Sequence, residues 1–303
     1  HAGRNGCFRI IGATQAAAVK PGIHERSNNL RRDCGIGKRG YQLLIHLGLG
    51  LIVGLIMALT GAGGGILAAP LLIFGAHQTV AQAGPVGLLA VGLAATLGAI
   101  LGLRAGIVRY RAALLIAAVG MMLVPVGVWL AHRVDNRWLL ILFALVLLAV
   151  AYRTFGQKDK PEIQAQSLPC VRSADSGRFI WTSACARALA LSGSVAGLLS
   201  GLLGVGGGFV IVPALHRYSD LAMQSVVATS LAVIALVSIS GVVFSVVSGS
   251  LNWNIAMPFA LGALVGMVSG RVISTHVAAS YLHKGFAAVA VVVAIGLIMK
   301  VML

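Results

Sequence analysis

Two glycine clusters carry the chemistry that the sequence makes legible. They read Gly61-Ala62-Gly63-Gly64-Gly65, closed by Pro70, and Gly204-Val205-Gly206-Gly207-Gly208, closed by Pro213. Each glycine costs about 1 kcal/mol relative to alanine inside a helix, so four in five residues oppose continuous helix. A break followed by a short helix leaves backbone N–H groups unpaired at that helix's N-terminus, where the dipole is positive and anions bind. Both clusters open short apolar runs, 64–75 and 206–215. Runs of that length are too short to span a bilayer. The alternative, in which the glycines serve only close helix packing, explains a single cluster equally well but not two copies at equivalent positions. Neither is a nucleotide loop, because no Lys-Ser/Thr follows and no βα unit surrounds it.

Neutral donors stand nearby in sequence. Thr229 and Ser230 begin the run 224–247, and hydroxyls suit an oxyanion. Hydroxyls bonded back to their own helix are an equal alternative for each. All seven acidic residues fall in the tail, the linker or loops. Cation carriers and proton pumps commonly keep a carboxylate in the membrane, so this pattern favours an anionic cargo over a cation. It also leaves an enzyme without acid–base pairs, nucleophile or metal cluster, and we expect no cofactor and no catalysis. Arg271 reads as a snorkelling residue, Arg104 and Arg109 as topological charges. Cys7, Cys34, Cys170 and Cys185 lack ligand spacing and read as reduced, neutral thiols.

The elements that hold these residues are membrane helices. Of 303 residues, 58% are hydrophobic and 10% charged, too few polar groups to cover a water-exposed surface. The net charge of +16 sits in the tail and in short gaps between apolar runs, the placement of cytoplasmic loop charge and not of a nucleic-acid module. The runs are 41–60, 64–75, 84–103, 111–131 and 137–152, then 185–203, 206–215, 224–247, 255–273 and 282–299. Adding 143 to a residue number carries Gly54 to Gly197, Pro70 to Pro213, Gly98 to Gly241, Gly106 to Gly249 and Gly127 to Gly270. Shared glycines and prolines encode backbone geometry, so the chain reads as a duplicated transporter. The expected organisation is a basic, disordered tail (1–40, no secretory h-region), a first membrane repeat (41–152), a polar linker (153–184) and a second repeat (185–303). The fold class is all-α integral membrane, two halves of about four helices each with glycine-broken half-helices.

The duplicated Gly-x-Gly-Gly-Gly-x4-Pro pattern, with Ala228-Thr229-Ser230-Leu231 after the second copy, resembles the sulfite exporter TauE/SafE family over residues 41–303. That resemblance implies an inner-membrane permease moving sulfite, sulfoacetate or related sulfur-containing or organic anions, usually outward. It implies about eight crossings. The site would comprise Gly61, Gly63, Gly64, Gly65, Pro70, Gly204, Gly206, Gly207, Gly208, Pro213, Thr229 and Ser230. Pro85-Val86-Gly87 stands where a first-half Ala-Thr-Ser is expected, a departure from the pattern. The expected partners are a small anion, the lipid bilayer and, in a homo-oligomer, further copies of the chain. Rival readings are a carrier of a cation or neutral solute on the same plan, and a non-transporting scaffold. If each short run and its preceding helix make one net crossing, the repeats are parallel with four crossings each. If they make two, there are five per half, ten in all, and the repeats are inverted. With the basic tail cytoplasmic, four crossings put the linker in the cytoplasm.

Overall fold

The computed structural model describes residues 23–60, 65–76, 78–156, 170, 182–219, 221–274 and 279–302, all helical apart from turns and one short bridge. The helices are α1 (Ile23–Thr60), α2 (Ala68–Gly75), α3 (Val80–Arg104), α4 (Tyr110–Arg133), α5 (Asn136–Gly156), α6 (Ser183–Leu203), α7 (Gly208–Tyr218), α8 (Met223–Val247), α9 (Trp253–Ser274) and α10 (Ala279–Met302). The chain divides into a unit His1–Ile45 and a unit His46–Leu303, and every packing relation below lies within the second. Among the described residues six segments are long and apolar enough to cross a membrane: Gly40–Leu59, Val80–Arg104, Tyr110–Arg133, Ser183–Leu203, Met223–Val247 and Trp253–Val272. Asn136–Tyr152 and Ala288–Val301 are shorter apolar helices.

Local sequence sets the helix ends. Thr79 and Gln82 form a capping box at α3, with Gln82 Oε1 accepting from the Thr79 N–H at 3.3 Å. Asn136 at the start of α5 reaches across to accept from the Val80 N–H at 3.0 Å, satisfying another orphan donor of the same terminus. Thr182 Oγ1 caps α6 through the Cys185 N–H at 3.1 Å. After α3 the Gly106 N–H reaches the Leu103 carbonyl and the Ile107 N–H that of Gly102. After α8 the same pair recurs, Gly249 to Val246 and Ser250 to Ser245. Both turns rest on a left-handed glycine, φ 68° at Gly106 and 67° at Gly249.

Two helix pairs close on bare backbone. Along α4 and α6, a Cβ on Gly197 would stand 2.6 Å from Gly120 Cα, one on Gly193 2.7 Å from the Ile116 carbonyl and one on Gly201 2.9 Å from Gly127 Cα. The pairs 116 with 193, 120 with 197 and 124 with 201 climb together, so these helices run parallel. The second seam joins α1 to α9, where Gly50 meets Phe259, Gly54 meets Ala263 and Gly266 meets Leu51, again in parallel. Without a hydrophobic force between helices in lipid, such close backbone approach supplies the packing. Between the seams α3 crosses α8 in antiparallel sense, with Gly92 on Ser238, Gly98 on Leu231 and Gly102 on Ala228. Ser240 ties α8 to α4 by donating to the Met121 carbonyl at 2.9 Å.

Each short helix doubles back along the helix before it. A Cβ on Gly75, the last residue of α2, would touch Leu49 in α1. In the second pair Gly207 lies against the Ala196 carbonyl, 2.7 Å from its missing Cβ, so α7 retraces α6. Its far end returns to the start of α6: the Cys170 N–H donates to the Tyr218 carbonyl at 3.1 Å, and Cys170 is disulfide-bonded to Cys185 with Cα atoms 5.0 Å apart. The expectation of reduced thiols at these two positions is therefore corrected. The linker residue Cys170 is held on the α7 end, which lies beside the α6 terminus that carries Cys185, and separation in sequence hid the pairing. Cys7 and Cys34 lie where no side chain is described.

Candidate functional site

The second glycine cluster is a buried turn built on left-handed backbone. Gly204 (φ 69°) ends α6, Gly206 (φ 77°) and Gly207 (φ 71°) continue the turn, and Gly208 is the first residue of α7. A residue with a Cβ is strained at those angles. Space also demands glycine, since a Cβ on Gly204 would run into the backbone of Gly84 in α3, 2.6 Å from its carbonyl carbon. Proline at 213 falls in the second turn of α7, half-buried.

Residues Val205, Gly206, Gly207, Gly208 and Phe209 are all buried, and among the described residues none of their N–H groups makes a backbone hydrogen bond. The first satisfied donors are Val210 and Ile211, both pointing at the Gly207 carbonyl at 3.0 and 3.2 Å. Helix start and turn thus present consecutive unpaired donors inside the protein, at the positive end of α7.

Of the first cluster, Gly61, Gly63 and Gly64 lie outside the described residues. Gly65 opens a short 3₁₀ turn before α2, and Pro70 is buried in the first turn of that helix. The structure brings Gly65 of the first cluster against the second. A Cβ on Gly65 would stand 3.0 Å from Val91 Cγ1 and 3.1 Å from the Val205 carbonyl, and one on Gly206 would stand 3.2 Å from the same Val91 methyl. Val91 lies midway along α3, so the meeting point is at the middle of that span.

Thr229 and Ser230 are both fully buried but stand elsewhere. Thr229 Oγ1 accepts from the Arg109 N–H at 3.1 Å, and Ser230 donates to the Val227 carbonyl of its own helix at 2.8 Å. The turn meets α8 at Ile234 and Ser238, so at 1.5 Å per residue Thr229 lies about 7.5 Å along the helix axis from the first and about 13.5 Å from the second. Sequence reading passed over two serines that border the turn, Ser200 and Ser238. They sit in ordinary apolar runs, and only a buried Oγ with no partner among the described residues marks both out, with Gly206 opposite Ser238. Among the described residues no cluster of three or more His, Cys, Asp or Glu side chains is placed to hold a metal.

With this geometry in view, comparison with known proteins is decisive: the family model described as "Sulfite exporter TauE/SafE" matches residues 46–297. The chain belongs to that family. A "Probable membrane transporter protein" of Xylella fastidiosa (strain 9a5c) is 30% identical over 263 residues, covering 85% of this chain and 95% of the relative. "Probable membrane transporter protein YunE" of Bacillus subtilis (strain 168) is 27% identical over 242 residues, 75% of this chain and 86% of the relative. No solved structure gives a significant match. The family match begins at His46 and takes in both glycine clusters, α3, α8 and the two glycine seams. The family and the relatives' names make the chain a multi-pass membrane transporter.

Proposed function

We propose that this protein is a permease for small anions, with sulfite, which the family description names, and sulfoacetate or related sulfur-containing or organic anions as the cargo class. The observation that carries the reading is the run of buried, unpaired N–H groups from Val205 to Phe209 at the start of α7. Each such group is costly in hydrocarbon when unpaired, and an anion satisfies several at once. No Asp or Glu lies inside any of the six spanning segments of the described residues to favour a cation instead. The approach of Gly65 to Val205 and Gly206 supports a site to which each half contributes a broken helix.

The duplicated plan is supported by more than sequence. The offset of 143 that relates the motifs also relates the turn hydrogen bonds after α3 and α8. It likewise carries the Gly120–Gly197 contact into Ala263–Gly54. Each helix-and-short-helix pair returning to its starting side favours ten traverses with inverted halves. On that plan the His46 end of α1 faces the cytoplasm of a bacterial inner membrane, and Cys170 and Cys185 lie outside, where a disulfide persists. Their pairing favours this orientation over a cytoplasmic linker.

The test is flux in proteoliposomes with the purified chain, using sulfite, sulfoacetate, sulfate, Na⁺ and K⁺ in turn. Saturable movement of an anion is expected. Transport of an alkali cation with no anion moved at all contradicts the proposal.

A further inference from the structure

Buried serines in these helices bond to their own backbone. Ser192 donates to Leu189, Ser230 to Val227 and Ser245 to Gly241, at 2.7 to 2.8 Å. Ser200 and Ser238 break the pattern. Their side chains are 0% and 1% exposed, and neither Oγ has a hydrogen-bond partner among the described residues. A hydroxyl left unmet in an apolar interior destabilises the folded protein, and alanine would avoid that cost. Both serines border the glycine turn. Ser238 Oγ lies 3.7 Å from the position a Gly206 Cβ would take, facing the turn from α8. Ser200 lies one helical turn beyond Ala196, on the α6 face whose Ala196 carbonyl abuts Gly207, and its own carbonyl accepts the Gly204 N–H at 2.8 Å.

We propose that Ser200 and Ser238 are ligand-binding residues that complete the coordination of a small oxyanion at this turn. The assignment rests on the anion reading given above and names the side chains that act in it. Backbone N–H groups from Val205 to Phe209 donate from the turn, and the two hydroxyls donate from α6 and α8. A hydroxyl also accepts, unlike an N–H, so the pair accommodates an oxyanion that carries one proton as readily as its deprotonated form. The arrangement suits a ligand with several oxygens spread around one centre. The two halves contribute unequally, because Met57 and Ala95 occupy the positions 143 residues earlier.

The experiment is calorimetric titration of the purified full chain in detergent with sulfite, sulfate and sulfoacetate, for wild type, Ser200→Ala and Ser238→Ala. Melting temperatures are measured with and without anion. Each substitution should weaken binding about ten- to a hundred-fold, the value of one hydrogen bond to a charged ligand. Without anion each variant should melt at the wild-type temperature or above it, since an unmet hydroxyl has been removed. Ser238→Cys, close in volume with a weaker donor, should fall between wild type and Ser238→Ala. Wild-type affinity in both alanine variants overturns this assignment and leaves the anion reading standing, and a loss in one variant alone overturns the other serine's role. A lower melting temperature without anion shows a structural partner for the hydroxyl and also overturns it. A wild-type protein that binds none of the three anions overturns the anion reading and this assignment together.

Discussion

Gly204→Ala tests whether the glycine turn is fixed by packing as well as by backbone angle, and Gly106→Ala supplies the matched control. The two glycines have nearly the same φ, 69° and 68°. Alanine in the left-handed region costs about 1–2 kcal/mol, so both substitutions incur that loss. They differ in what the new methyl meets. At Gly106 nothing lies within 4 Å, whereas at Gly204 the Cβ would collide with the Gly84 backbone, 2.6 Å from its carbonyl carbon. Ordinary contact begins at 3.4 Å and the nearest Gly84 atom is its Cα, closer still than the carbonyl carbon, so α3 and the turn must part by more than an ångström. Backbone on both sides leaves no side chain to rotate away, and overpacking of this kind costs about a further 1–3 kcal/mol. The expected totals are about 1–2 kcal/mol for Gly106→Ala and about 2–5 kcal/mol for Gly204→Ala. Denaturant unfolding in mild detergent, followed by tryptophan fluorescence, reads both. Equal losses, or a smaller loss at Gly204, would refute the claim that α3 and the turn touch backbone to backbone.

Three further outcomes follow from the hydrogen bonds and the disulfide. Thr229→Val should lower stability by about 1–3 kcal/mol, because the Arg109 N–H loses its acceptor, while anion affinity at the glycine turn stays unchanged in titration. Asn136→Ala should cost about 1 kcal/mol in the same unfolding assay by uncovering the Val80 N–H at the start of α3. Reduction of Cys170–Cys185, or Cys170→Ser, should lower stability by about 3 kcal/mol for a crosslink spanning 15 residues, and intact-mass analysis after alkylation should show the pair protected before reduction.

The sequence made the membrane class, the helix breaks and the family legible because each is written in local composition. Four glycines in five residues forbid regular helix wherever they stand, and Pro70 and Pro213 mark the short helices that follow. What resisted reading was non-local. That α2 returns along α1 depends on Gly75 meeting Leu49, and that α7 returns along α6 depends on Gly207 meeting Ala196. Apolar run length alone is silent on direction. Thr229 was attractive as a hydroxyl near a motif, yet the α3–α4 loop supplies it with a backbone N–H from Arg109. Ser238 was invisible for the opposite reason, since its interest comes from Gly206 and Gly92 lying opposite it. The cysteine pair needed Tyr218 to position Cys170, a residue 48 places away that no spacing rule links to it.

The two glycine seams impose an order on biogenesis. Helix α6 leaves the ribosome after its partner α4, so its glycine face finds Gly120 and Gly127 already in the membrane. Helix α1 has the reverse history, for its partner α9 is made near the end of the chain. From the moment it enters the bilayer until α9 follows, Gly50 and Gly54 face lipid, where a smooth, side-chain-free surface invites any passing small-residue helix. The Gly50 and Gly54 face thus waits for its partner through the synthesis of the seven helices described between the two. The interval between those events is the period in which quality-control proteases and insertases have an unfinished molecule to inspect.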